Sequence, residues 1–545
     1  MVIGALKMLT RTLSGICAVA VVMTIAGRGV AADTVSLKTS LQEQLKSKSW
    51  APDVDRKRLR LWYEARHYAP VWLKKSAEVT PEAQQLFETL AGADKEALFP
   101  QDYHVDALRL LWSKHDIKNS VRLELLLTDA FFRYAVEVRA GYQFPRAIDP
   151  DWYIEPEKIE PLVVLKKALK SQDFVAALAE LPPSYDEYRR LRQALKVYRR
   201  WQKLGEWPIL RDETVLRLGD WHPLVATLRE RLEREGFLRV RVDANEMMFD
   251  TEVEQAVKQF QFAHGFTPDG VVGRGTRAAL NVSMAARIAE IEKNMERWRW
   301  MPRSLGSRYV QVNMADYKLT VVEKGKTTMD MRVMVGKDYR STPVFGNKIK
   351  YIEINPVWKV PARIARDDLL PKQREDPEYF LRKGIHVVTS WGTDGEEIDV
   401  NEIDWENVKT DEFPYKLQQE AGDKNSLGRM KFMFPNSFRV YLHDTPAKFL
   451  FERRIRTFSS GCIRVEQPVE LAVKLLDDPQ WSTGNLESAL ATKQSRRLDL
   501  GKPIPIYLLY WTAWVENERV QFRPDIYGRN RALPDHRLYK TERKN

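Results

Sequence analysis

Near Arg308 the hydrophobic period of the chain changes, and that change constrains the architecture more than any other feature. Upstream, over residues 33–205, apolar residues recur at spacings of three and four, as in 121–139 and 185–201, which predicts amphipathic helices. Pro145, Pro150, Pro182 and Pro183 interrupt them. Downstream, residues 309–313, 319–322, 329–335 and 349–354 are alternating or continuously apolar runs with β-branched residues, which predicts strands. Further strands are expected at 438–442, 504–514 and 520–522, with one short helix at 469–476 after Pro468. With 545 residues, at about 150 per domain, the chain calls for several domains. The expected fold is multidomain: an α-helical scaffold at 33–205 and a mostly β domain at 306–530, followed by a basic tail at 531–545. A more polar, mixed stretch at about 367–433 interrupts the strand pattern and reads as an inserted lobe.

Between the two halves lies a compact unit, residues 214–282. Leu218-Gly219-Asp220 precedes a helix carrying Val225, Leu228 and Leu232, closed by Gly236. A second helix carries Val253, Ala256, Val257 and Phe260, followed by Gln261. After Asp269-Gly270-Val271-Val272-Gly273 comes a third, with Thr276 as the expected N-cap and Leu280 facing inward. This three-helix module resembles the peptidoglycan-binding domain of wall hydrolases in its LRLG start, its AVKQFQ helix and its DGVVGRGTRAALN ending. It can bind glycan or serve as a spacer. A charged, tryptophan-bearing linker at 283–305 joins it to the β half.

The first 32 residues bear on compartment. Lys7 and Arg11 precede an apolar run from Leu13 to Ala26, and Val30-Ala31-Ala32 supplies a small-residue cleavage site. That is the pattern of a signal peptide or, uncleaved, a signal-anchor, and it predicts a periplasmic location. The apolar run is short against the about 20 residues of a membrane span, which favours cleavage. Loss of Lys7, Arg11 and Arg28 takes the formal charge from +12 to +9, still basic. A basic balance suits an acidic wall polymer or an anionic surface; the export signal argues against nucleic acid.

Export also makes the cysteine count informative. Of the two cysteines, Cys17 leaves with the signal, so the mature chain keeps Cys462 alone. An unpaired thiol in an exported protein asks for a reason. Its surroundings supply one: Tyr441-Leu442-His443-Asp444-Thr445-Pro446 is followed by Ser459-Ser460-Gly461-Cys462-Ile463-Arg464-Val465. Cysteine attacks as the thiolate, yet a free thiol with pKa near 8.5 is only slightly ionised at neutral pH. An imidazole with pKa about 6.5 can take the proton or hold the anion as an ion pair. His443 is therefore the expected proton donor and acceptor, and Cys462 the expected nucleophile. Gly461 permits a tight turn, and its backbone N–H, with that of Cys462, can face a developing oxyanion. Arg464 can hold a substrate carboxylate or buttress the loop. Asp444 or a backbone carbonyl can orient the imidazole.

The HDTP…SSGCIRV arrangement is similar to the catalytic motif of L,D-transpeptidases of the YkuD fold, most like the large Gram-negative YcbB type. The 355–361 stretch, NPVWKVP, fits the same subgroup. Ser460 and Arg464 depart from the His before Gly and the Asn after Cys found in many members. The resemblance implies acyl transfer through a Cys462 thioester from tetrapeptide stems, giving 3→3 peptidoglycan cross-links. Tyr441, Trp358, Arg464 and Ser460 would serve substrate binding, although Trp358 and Tyr441 can equally be core. It further implies peptidoglycan stems as donor and acceptor, other wall synthases as partners, acylation by carbapenems, a lobe closing over the cleft, and no metal or organic cofactor. A carboxypeptidase, a lipoprotein-anchoring transferase and a non-catalytic wall-binding scaffold are the alternatives. His67, His104 and His115 read as surface or satisfied histidines, and scattered His222, His264, His386 and His536 do not suggest zinc.

Overall fold

The computed structural model describes residues 36–47, 54–239, 245–391, 394–410 and 413–533. The expected signal segment, Cys17 and most of the basic tail lie outside the described residues.

Around the 24-residue helix Ile117–Ala140, whose first turn is capped by the Asp116 side chain on Asn119 N–H, the N-terminal helices assemble one apolar core. Leu86, Leu90, Leu108, Leu127, Phe131 and Ala135 are fully buried in it. Helix Asp186–Lys203 does not join that core. Its stripe of Tyr188, Leu191, Leu195 and Tyr198 packs instead into the core of the β half. The helical region is thus divided between two cores, which periodicity alone could not show.

The unit at 214–282 has its own core of Val225, Leu228, Leu232, Val253, Val257, Phe260 and Leu280. Its helices are Pro223–Arg234, Thr251–Ala263 and Arg274–Leu280, the second capped by Asp250. Gln261, buried, fixes the Asp269-Gly270 turn: its amide nitrogen donates to Asp269 Oδ1 at 2.7 Å and its oxygen accepts from Gly270 N–H at 2.8 Å. The third helix starts from Gly273, so Thr276 is not its N-cap. Thr276 lies inside the first turn, where its hydroxyl reaches back to Val271 O. The tertiary contact with Gln261 competes successfully for the hydroxyl that capping would use.

Helix Met284–Arg299 ties the parts together. Arg299 and Glu296 form an ion pair with no exposed side-chain surface. Glu296 also accepts from Tyr142 N–H, and Arg299 is bound by the Glu96 carbonyl and the Tyr188 hydroxyl. An ion pair this deep persists because every charge has polar neighbours, and removal of one partner is costly.

The β half has strands β1 (Arg308–Asn313), β2 (Lys318–Glu323), β3 (Lys326–Gly336) and β4 (Phe345–Ile354). Next come β5 (Trp358–Lys359), β6 (Ile385–Val388), β7 (Glu397–Ile398) and β8 (Lys416–Gln419). Then follow β9 (Met430–Met433), β10 (Leu442–His443), β11 (Thr457–Ser459), β12 (Ile463–Val465) and β13 (Arg496–Leu509). A hairpin, β14 (Ala513–Glu516) and β15 (Arg519–Phe522), ends the series. The main sheet runs β11-β3-β12-β10-β9-β4-β13-β1-β2, and β2 also pairs with β3, so the hydrogen-bonded order closes on itself. Closure leaves few open edges. The fold is that of a helical N-terminal region followed by a mostly β domain.

Three expectations change here. The lobe has its own sheet, β5-β8-β6-β7, and its own core from Trp358 to Leu427, while β9 belongs to the main sheet. Its span is therefore about 358–427, set by strand pairing that polarity does not reveal. The expected strand at 438–442 is mostly a turn: Asn436 Oδ1 accepts from Phe438 and Val440 N–H, and Arg439 takes a positive φ of 56°. The run at 504–514 divides between β13 and β14, and a helix at Thr483–Ala491 joins the one expected after Pro468.

Candidate active site

β10 and β12 are parallel neighbours, with Leu442 opposite Ile463 and His443 opposite Arg464. Ile463 N–H donates to Tyr441 O at 3.1 Å, which continues the register back by one residue and sets Cys462 beside Tyr441. Leu442 and Ile463 are fully buried in the barrel core. Because side chains alternate, Tyr441, His443, Cys462 and Arg464 share the opposite face. From strand spacing and rise, the backbones of His443 and Cys462 stand about 8 Å apart, diagonal to one another on that face. The 18 residues between them, 444–461, return the chain from the end of β10 to the start of β12.

The imidazole is buried, and its Nδ1 donates to the Asp444 main-chain carbonyl at 2.6 Å. With Nδ1 donating there, the lone pair of the neutral ring falls on Nε2; the Leu427 carbonyl is a second backbone group acting on the ring. Burial, with Arg464 and Lys431 nearby, pushes the His443 pKa down to about 3. The ring is thus a neutral base across the physiological range. The Asp444 carboxylate is occupied elsewhere, accepting from Arg429 N–H at 2.8 Å and pairing with Lys448 at 2.6 Å. It shapes the loop and leaves orientation of the ring to the backbone carbonyl.

Cys462 is half-buried, with its Sγ 3.7 Å from Arg439 O and in hydrogen-bonding contact with Tyr441. Burial raises the thiol above its ordinary value, against the lowering influence of Tyr441, Lys431 and Arg464. With a neutral ring and a raised thiol, the resting pair is not a thiolate–imidazolium ion pair.

The other expected site residues fall into three groups. Arg464 is half-buried beside the thiol, its Nε buried without a hydrogen-bond partner and no carboxylate paired with it among the described residues. Tyr441 touches both the barrel core and the lobe core, with its ring 5.7 Å from that of His443. Trp358, 7% exposed, lies in the lobe core and is largely structural. Gly461 has a φ of 113°, which favours glycine, yet its N–H already donates to Ser459 Oγ at 3.1 Å. That amide is therefore committed in this state, contrary to the expected oxyanion role, because the Ser459 hydroxyl also donates to Cys462 O and pins the loop. Ser460 is exposed, and its hydroxyl accepts from Arg340 at 2.9 Å.

One neighbour escaped the sequence reading. Lys431 is opposite His443 across β9–β10, lies 4.6 Å over the Tyr441 ring, and pairs with Glu353 at 3.1 Å. The signal was its odd place in the alternating Met430-Lys431-Phe432-Met433 run. Arg464, His443 and Lys431 thus form a row of basic groups next to the thiol. Among the described residues no cluster of three or more His, Cys, Asp or Glu side chains could hold a metal ion. Nor is any described helix long and apolar enough to cross a membrane.

Comparison with known proteins defines the class. Residues 307–505 match the model of the L,D-transpeptidase catalytic domain (YkuD), 222–280 that of the "Putative peptidoglycan binding domain", and 57–195 that of a scaffold domain. The chain therefore carries a YkuD-type L,D-transpeptidase catalytic domain together with a peptidoglycan-binding domain. A curated relative from Haemophilus influenzae, named "Putative L,D-transpeptidase", is 37% identical over 244 residues, 45% of this chain. The chain spans about half, 48%, of that relative's length. Solved L,D-transpeptidases from Xylanimonas cellulosilytica and Stackebrandtia nassauensis align over 55% of this chain, covering 98% and 96% of theirs, at 16% and 14% identity. Their TM-scores are 0.18 and 0.21, values at which the likeness does not establish a shared overall fold.

Proposed function

We propose that this protein is an extracytoplasmic cysteine L,D-transpeptidase that forms 3→3 cross-links between peptidoglycan stems. The observation that carries the reading is the pairing of β10 with β12, which brings an oriented, neutral imidazole and a half-buried thiol onto one face of a transpeptidase-type domain.

In the first step His443 Nε2 takes the Sγ proton as sulfur attacks the amide carbon between the third-position diamino acid and D-alanine of a tetrapeptide stem. The resting ring is a weak base, so its proton transfer has to run together with C–S bond formation, when the negative charge developing beside it raises the ring's basicity. The backbone N–H of Cys462 is the better candidate for the oxyanion, since that of Gly461 is engaged. The C–N bond breaks, His443 returns the proton to the leaving amine, and a thioester remains. The side-chain amine of a second stem then attacks the thioester carbonyl and gives its proton to His443. The C–S bond breaks, His443 returns that proton to the departing sulfur, and the thiol is restored.

Arg464 and Lys431 supply positive charge for stem carboxylates. A guanidinium whose Nε is buried without a hydrogen-bond partner, and which pairs with no carboxylate among the described residues, is suited to receive one from substrate. The peptidoglycan-binding domain would hold the enzyme at the wall. Purified protein incubated with tetrapeptide-rich muropeptides should yield 3→3 dimers by mass analysis. Free tripeptides alone would mean hydrolysis, and no product would end the reading.

A further inference from the structure

The nucleophile loop and the inserted lobe meet at Arg340, a residue outside the family motif. It sits on the turn after β3, and its side chain is 7% exposed. One guanidinium nitrogen, Nη1, binds both the Ser460 hydroxyl, at 2.9 Å, and the Asp368 carboxylate. The other, Nη2, reaches Asp367 at 3.4 Å. Both aspartates belong to the π-helical turn Ala365–Leu369, which enters the lobe core through Ala365 and Leu369. Such turns often mark functional sites. Asp367 is held further by Arg366 at 2.8 Å and Arg363 at 3.4 Å, so the lobe end of the contact is anchored.

The other end is anchored equally well. Thr342, two residues beyond Arg340, donates from its hydroxyl to Gly461 O at 2.8 Å and accepts from Gly336 N–H at 3.0 Å. Ser341 donates to Asp151 of the scaffold at 2.5 Å, and Val344 exchanges backbone hydrogen bonds with residues 151 and 153. The Arg340 turn is therefore a fixed point between scaffold, lobe and the Ser460-Gly461-Cys462 loop.

We propose that Arg340 is a positioning residue that couples the lobe to the thiol: its hold on Asp367 and Asp368 sets where the lobe rests, and its hold on Ser460 sets the loop that carries Cys462. Release of the aspartates then reaches the sulfur without touching it. This deepens the transpeptidase reading, but its test needs no turnover. Iodoacetamide alkylation of Cys462 is read by mass on the tryptic peptide 457–464, which excludes Cys17, and hydrogen exchange is read on peptides from 362–391. The variants are made in the full chain.

The Asp367→Asn/Asp368→Asn variant and Arg340→Ala are both expected to raise lobe exchange and to speed alkylation about fivefold, the lower range of ordinary coupling between sites. Ser460→Ala, which removes an exposed hydroxyl and leaves the aspartates bound, should speed alkylation with lobe exchange unchanged. An alkylation rate equal to or below the parent's in the aspartate variant or in Ser460→Ala overturns the coupling, as does unchanged lobe exchange in Arg340→Ala. Loss of muropeptide transfer in the parent protein would instead strike the functional reading and leave these measurements intact.

Discussion

Two histidines, half-buried His104 in the scaffold and buried His443 on the barrel, differ in what surrounds them. His104 Nε2 donates to Asp129 at 2.8 Å, and the same carboxylate accepts from Arg133 Nε at 2.7 Å and Asp55 N–H at 2.8 Å. Burial alone would raise the Asp129 pKa; the His104 hydrogen bond and the Arg133 charge outweigh it and hold the carboxyl below its usual range. Asp129 gathers three donors, and the cluster ties the start of helix Arg56–Glu64 to the middle of helix Ile117–Ala140. His443 has the Asp444 and Leu427 carbonyls at its ring, a thiol diagonal to it, and in Arg464 a cation with no carboxylate partner among the described residues. A satisfied network stabilises a fold; an incomplete one is poised to complete itself on a substrate.

This contrast can be broken by experiment. Cys462→Ala should abolish cross-linking while leaving the urea-unfolding midpoint unchanged; retained activity would remove the sulfur from the chemistry. His443→Ala should slow acylation, followed by mass of a carbapenem adduct, by at least roughly 100-fold, the usual contribution of a positioned acid–base group. Asp129→Ala should do the reverse, costing about 3 kcal/mol of scaffold stability by leaving Arg133 and His104 without their shared partner. Its acylation rate by carbapenem should stay at the parent value. Arg464→Met should raise KM for stem peptides about tenfold, the worth of one charge-assisted hydrogen bond, with little change in unfolding, since no ion pair among the described residues is lost.

The smallest and sharpest effect concerns pH. The thiol's pKa is raised, so the thiolate fraction, and with it the alkylation rate of Cys462, should climb with pH and bend above the ordinary thiol range. Since the ring stays neutral down to about 3, no inflection should appear near pH 6.5. An inflection there would mean an ion-paired resting state and would erase the difference between the two histidines' surroundings.

Several of these features could be read without coordinates. Cys462, His443 and the glycine between Ser460 and Cys462 stand in short motifs whose chemistry is local. The three-helix module announces itself through helix periods and glycine turns. The Arg340 contact could not be read, because its partners lie 27, 28 and 120 positions away. Lys431 was similarly hidden: a lysine in an alternating run says which face it occupies, not which histidine lies across the ladder. The strand expected at 438–442 is mostly turn because its aromatic and β-branched residues carry a strand pattern, while the deciding residue, Asn436, lies just before it and makes four side-chain hydrogen bonds to the surrounding backbone.

The amino-acid order by itself sets where helices yield to strands, which thiol is expected to remain after loss of the leader, and which imidazole we propose as its partner. Those depend on composition and spacing over a few neighbouring residues. Tertiary structure alone decided that the barrel closes, that helix Asp186–Lys203 serves the β core, that a backbone carbonyl orients His443, and that the lobe is tied to the nucleophile loop. These outcomes rest on contacts between residues far apart in the chain, and strand register, which no local pattern encodes, selects them.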